Sequence, residues 1–78
     1  MDIRDTLLDI FKTLEFDPNE IKDSTRLRTD LEVDSTELAE IAVAIEQRLP
    51  VIVDDSTFQK LATFGDVIKY IESTSYHA

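Results

Sequence analysis

The chain has 78 residues, enough for one domain spanning residues 1–78, and its 42% hydrophobic composition supports a small core that removes about 60% of the unfolded surface from water. Seventeen acidic against eight basic side chains give a net charge of −9, which argues against nucleic acid and anionic membrane surfaces and favours partner proteins with basic patches. No cysteine is present, so disulfides, thiolate metal sites and a cysteine nucleophile are excluded.

The start, Met1-Asp2-Ile3-Arg4-Asp5, is too charged for a secretion signal, and no apolar run approaches membrane-spanning length. A cytoplasmic protein without membrane insertion is the expectation. Ile3, Leu7, Leu8, Ile10, Phe11 and Leu14 then recur at spacings of three and four, which predicts a first amphipathic helix that Asp17-Pro18 stops. Residues 16–33 have no clean period but carry Ile21, Leu27 and Leu31, so they read as a long ordered loop crossing the core.

The second helix is the clearest, with Asp34 as N-cap, Glu37 completing a capping box, and Leu38, Ile41, Ala42, Ile45 and Leu49 as its buried stripe. Thr36, Glu40, Val43 and Gln47, with Glu46 beside them, fall on the outward face, and Pro50 ends the helix. Val51-Ile52-Val53 has strand composition but nothing to pair with, and is expected to be a buried extended connector. Asp54-Asp55-Ser56 caps a short helical turn through Phe58 and Leu61. A last helix starts at Thr63 with Asp66 at its third position, buries Phe64, Val67, Ile68 and Ile71, and frays near Ser73. With one glycine and two prolines to punctuate hairpins, the fold class is all-α. The expected architecture is a small four-helix bundle, three main helices plus one short one, with a long loop between the first and second. Met1 and the polar end Ser73-Thr74-Ser75-Tyr76-His77-Ala78 lead to the expectation of a free-standing monomer.

Ser35 is the residue with the most chemical content. At a helix start its hydroxyl is exposed beside amide groups that favour a bound phosphate. No base accompanies it: the single histidine, His77, stands next to the end of the chain, and no Gly-x-Ser-x-Gly elbow surrounds Ser35. A serine that can hold a phosphate but cannot catalyse is an attachment point for another enzyme to modify, so the chain itself is not expected to be an enzyme. Metal binding has no support. A calcium-loop template begun at Asp17 and Asn19 fails at Ile21, Lys22 and Arg28, and Asp54-Asp55 is explained by helix capping. Between Thr29 and Gln47, Asp30, Glu32, Asp34, Glu37, Glu40 and Glu46 occur without a lysine or arginine, a pattern suited to docking basic partners around Ser35. Val43, apolar among these glutamates, is a candidate anchor for such an interface.

Leu31-Glu32-Val33-Asp34-Ser35-Thr36-Glu37-Leu38-Ala39-Glu40-Ile41 resembles the Asp-Leu-Gly-x-Asp-Ser-Leu region of acyl carrier proteins and the related peptidyl carrier proteins. Asp30, Ala44-Ile45-Glu46, Phe58-Gln59-Lys60-Leu61-Ala62-Thr63 and Val67-Ile68-Lys69-Tyr70-Ile71 extend the resemblance over nearly the whole chain. It implies a 4′-phosphopantetheine arm on Ser35, with Asp34 and Thr36 flanking it, installed from coenzyme A by a phosphopantetheinyl transferase. The arm's thiol would hold an acyl or aminoacyl group, which explains how a cysteine-free protein takes part in thiol chemistry. It also implies that Glu37, Glu40, Val43, Glu46 and Gln47 dock the loading enzyme and downstream synthase enzymes through their basic patches.

Two positions depart from the family pattern. Glu32 stands where glycine is usual, and Thr36 replaces the leucine that normally follows the serine. These departures favour a specialised carrier of polyketide, nonribosomal-peptide or related secondary metabolism over a housekeeping fatty-acid carrier. The rival from another class is an acidic helical interaction module with no covalent group, for which Ser35 is only a first-turn residue.

Overall fold

Helix α1 (Ile3–Thr13) begins where the Asp2 carboxylate accepts from the Arg4 amide at 2.9 Å, and its apolar face buries Ile3, Leu7, Ile10 and Phe11. This is seen in a computed structural model that describes residues 2–74; His77 and its neighbours in the polar end lie outside the described residues. The helix does not run to Asp17-Pro18. Its last turn closes in a Schellman motif, in which the Phe16 amide reaches the Phe11 carbonyl and the Glu15 amide the Lys12 carbonyl, both at 2.9 Å. Glu15 occupies the left-handed position at φ 73°, and the Phe11 and Phe16 rings meet across the motif with centroids 5.7 Å apart. Asp17-Pro18 instead opens a single 3₁₀ turn (Pro18–Glu20), with the Asp17 side chain accepting from the Asn19 amide at 2.9 Å.

The loop that follows is as ordered as the expectation required. Ile21, Leu27 and Val33 are buried and Leu31 packs half-buried against the core. Its backbone is fastened to the far end of the chain, with the Leu27 amide on the Ala62 carbonyl at 2.9 Å and the Phe64 amide on the Thr25 carbonyl at 3.0 Å. Gly65 eases this closure, since a Cβ there would lie 3.0 Å from the Asp23 carbonyl oxygen and would push the loop back by a few tenths of an ångström. Asp23 also pairs with Arg4, and the hydrogen bond to that guanidinium holds its carboxyl below the usual range. Both side chains are exposed, so the pair orients the loop more than it stabilises it.

Helix α2 (Ser35–Arg48) buries Leu38, Ile41, Ala42 and Ile45. Leu49, forced out of helical geometry by Pro50, is extended at φ −129° and ψ 149°. The connector after it alternates, with Val51 and Val53 buried but Ile52 84% exposed, so the expectation of a buried connector fails at Ile52. An extended segment on a surface can bury only every second side chain. Helix α3 (Asp55–Phe58) is a single turn capped by Asp54, whose carboxylate accepts from the Thr57 hydroxyl at 2.6 Å and the Ser56 hydroxyl at 3.0 Å. Those bonds, that from the Thr57 hydroxyl foremost, hold the Asp54 carboxyl below the usual range. The turn ends at Phe58, leaving Leu61 half-buried beyond it.

Helix α4 (Phe64–Thr74) is opened by a reciprocal pair, Asp66 amide to Thr63 hydroxyl at 3.1 Å and Thr63 amide to Asp66 carboxylate at 3.2 Å. It covers α1, where the Phe11 and Phe64 rings meet edge to face at 5.6 Å. The described residues thus form an all-α bundle of three main helices and one short helix, with one isolated β-bridge between Arg26 and Thr63.

Glutamate in a left-handed Schellman position is unfavourable relative to glycine. Glu15→Gly should therefore raise stability by about 0.5–1 kcal/mol, a gain of about 2–8 °C in Tm for a domain of this size. Thermal unfolding followed by circular dichroism checks this; an unchanged or lowered Tm would mean that Glu15 is not held in that conformation.

Candidate functional site

The start of α2 is set by two hydrogen bonds running in opposite directions. The Asp34 carboxylate accepts from the Glu37 amide at 2.8 Å, and the Glu37 carboxylate accepts from the Asp34 amide at 3.2 Å. This is the expected capping box, and such a cap contributes about 1 kcal/mol. Ser35 is the first residue of the helix and is exposed, as is Thr36. Among the described residues the Ser35 and Thr36 amides have no protein acceptor. Their free N–H groups and the positive end of the helix dipole make the surroundings of the Ser35 hydroxyl favourable to an anion.

Arg28 is the side chain that sequence reasoning missed as a member of this site. Its neighbour Leu27 is fully buried, which turns Arg28 outward from the loop. One guanidinium nitrogen, Nη1, lies 3.4 Å from the Ser35 Oγ. The other, Nη2, donates to the Gln59 side-chain oxygen at 2.8 Å and reaches the Gln59 carbonyl at 3.3 Å. Gln59 in turn donates to the Ser35 carbonyl at 3.1 Å, so a single amide side chain at the end of α3 holds both Arg28 and the first residue of α2. The one signal in the sequence was the alternation Arg26-Leu27-Arg28, which gives the direction of the arginines but not their target. Arginine cannot accept a proton, so this contact does not turn Ser35 into a nucleophile.

The acidic face separates into two kinds of residue. Thr36, Glu40, Val43 and Gln47 line one shallow depression on α2, with Leu14, just past the end of α1, also lining it. Val43 is 52% exposed within it. Glu37 and Glu46 are instead engaged by the fold, Glu37 in the cap and Glu46 by accepting from the Val53 amide at 2.7 Å. Among the described residues no group of three or more His, Asp or Glu side chains is placed to hold a metal ion.

A family model described as the phosphopantetheine attachment site matches residues 3–71. The acyl carrier protein of Wolinella succinogenes is 33% identical over 64 residues, covering 82% of this chain and 84% of its own. That of Campylobacter concisus is 34% identical over 71 residues, covering 91% and 88%, and that of Exiguobacterium sp. 37% over 57 residues, covering 73% and 72%. A match that runs from the first residue of α1 to Ile71 takes in every helix, so the likeness is to the whole bundle and not to a short motif. The chain belongs to the phosphopantetheine-attachment family of acyl carrier proteins, whose prosthetic group is covalently bound 4′-phosphopantetheine and whose members are carriers, not enzymes.

Proposed function

We propose that Ser35 is the residue that carries the 4′-phosphopantetheine arm. The observation that supports it is the position of the hydroxyl: exposed on the first residue of α2, beside two free backbone amides and the Arg28 guanidinium. These groups fit a phosphodiester, which is anionic and needs donors without needing a cavity. When bound, the arm supplies the thiol on which an acyl or aminoacyl cargo is held. The chain's own contribution is to present Ser35 Oγ to a phosphopantetheinyl transferase. That enzyme must itself take the hydroxyl proton, since Arg28 cannot. After loading, the bundle shows the same face to successive partners.

Docking rests on the depression lined by Thr36, Glu40, Val43 and Gln47, with Glu37 and Glu46 at its flanks adding charge while serving the fold. The partners are the transferase, an acyl- or aminoacyl-loading enzyme and downstream synthase enzymes bearing basic patches. Such contacts govern encounter rate and partner choice more than affinity, which suits a monomeric carrier that must leave each enzyme to meet the next. Among the described residues no helix is long and apolar enough to cross a membrane. Glu32 and Thr36 support a specialised pathway of polyketide, nonribosomal-peptide or related type. Glu32 stands at φ 56° in the left-handed region where the family pattern places glycine, and Thr36 puts a hydroxyl where partners usually meet leucine. A housekeeping fatty-acid carrier is the second reading, and the loading enzymes that accept the chain separate the two.

Incubation with coenzyme A and a promiscuous phosphopantetheinyl transferase should add one arm per chain by intact mass. Ser35→Ala should abolish the addition and leave the circular-dichroism spectrum unchanged. A wild-type mass that stays constant while a control carrier is modified would refute the reading and favour the interaction module. Glu40→Lys should slow arm transfer by roughly threefold to tenfold at low salt while changing stability by no more than about 0.5 kcal/mol. Glu46→Lys should also cost about 1 kcal/mol of stability, because the Val53 amide loses its acceptor. Equal stability losses in both variants would show that Glu40, too, is committed to the fold.

A further inference from the structure

We propose that Arg28, braced by Gln59, is a positioning residue for the arm's phosphodiester, holding it against the start of α2. The inference rests on the assignment of the arm to Ser35. Its starting point is charge. An arm on Ser35 places a negative phosphodiester within one helical turn of two carboxylates, Asp34 and Glu37, both of which the cap requires. Between Thr29 and Gln47 the sequence has no lysine or arginine to offset them. The helix dipole offers only partial compensation, since those same carboxylates oppose it.

The missing charge comes from the preceding loop. With Nη2 committed to Gln59, the guanidinium is fixed in orientation and its Nη1 is directed at Ser35 Oγ. At 3.4 Å from a neutral hydroxyl this is a weak bond. The position suits a larger, charged acceptor built on that oxygen, because bonds from arginine to phosphate are charge-assisted and draw on its planar fork. Gln59 sets the separation, since its amide nitrogen holds the Ser35 carbonyl while its oxygen holds Arg28. The surroundings agree: Arg26 and Lys60 line one shallow groove with Arg28, Thr29 and Gln59, so Arg28 reaches Ser35 from a basic patch of an otherwise acidic protein.

The test uses wild-type, Arg28→Gln and Arg28→Lys proteins, each prepared without the arm and with it, the mass confirming its presence. The wild-type phosphodiester should give a phosphorus NMR resonance displaced from that of the same protein unfolded in urea. Arg28→Gln should move it most of the way to the urea position, and Arg28→Lys only part of the way. At low salt, Arg28→Gln should reduce the difference in Tm between armed and unarmed protein by about 2–6 °C, and the reduction should vanish in high salt. If Arg28→Gln lowers both forms equally and leaves the resonance in place, Arg28 is only a brace between the loop and α3, and the proposal is overturned. A wild-type chain that gains no mass overturns the attachment to Ser35 and the phosphate contact together; one that gains the mass but shows no Arg28 dependence overturns the contact alone.

Discussion

The reciprocal hydrogen bonds between Asp34 and Glu37 are the constraint on which the rest of this structure depends. They decide where α2 begins, and so which side chains are covered by a preceding turn and which are not. Ser35 lies near the edge of the buried stripe formed by Leu38, Ala42 and Ile45, and it stays in solvent because the helix starts at that residue. A helix extended by one more turn toward the loop would cover it. The cap therefore does two things at once: it satisfies the Glu37 amide and leaves the amides of Ser35 and Thr36 free for an anion.

If the arm is carried on Ser35 as proposed, the same arrangement sets carboxylates and a phosphodiester side by side, and the long loop brings an arginine to that point. Capping places carboxylates at the positive end of the helix, and the proposed attachment to Ser35 would put a phosphodiester at that same end. The loop supplies the opposite charge because its backbone is fastened at several points: Leu27 to Ala62, Phe64 to Thr25, and Gly65 to Asp23. Those bonds hold Leu27 in the core and bring Arg28 across to Gln59 and Ser35. An unattached loop of the same composition would carry an arginine but would have no means of aiming it. Arg28 thus reaches Ser35 from the side of Gln59, while Glu40 lies farther along α2 in the depression that begins at Thr36.

What could be read from the chain beforehand follows the range of the interactions involved. The caps at Asp34, Asp54 and Thr63 and the buried stripes of the main helices obey rules that act over three or four residues, and the structure has them where the spacing put them. The sequence does not mark the end of α1, because a glutamate at a left-handed position carries no glycine signal although Glu15 makes the same turn a glycine would. Composition alone puts Ile52 in the interior with its neighbours, but alternation along an extended segment turns it out. The fold role of Glu46 is not legible in the sequence because its partner, the Val53 amide, lies beyond the end of the helix. Arg28 was out of reach for a stronger reason, since its contact with Gln59 spans 31 positions and exists only once the loop has closed on α3.

The central claim is that the Ser35 hydroxyl, and not the adjacent one on Thr36, is where this carrier is modified. Trypsin releases residues 29–48 as one fragment, bounded by Arg28 and Arg48, that contains both hydroxyls. Tandem mass spectrometry of that fragment, from protein co-expressed with a phosphopantetheinyl transferase, locates the added group directly. The account predicts fragment ions that assign it to Ser35; an added mass on Thr36, or on any residue outside 29–48, would contradict it.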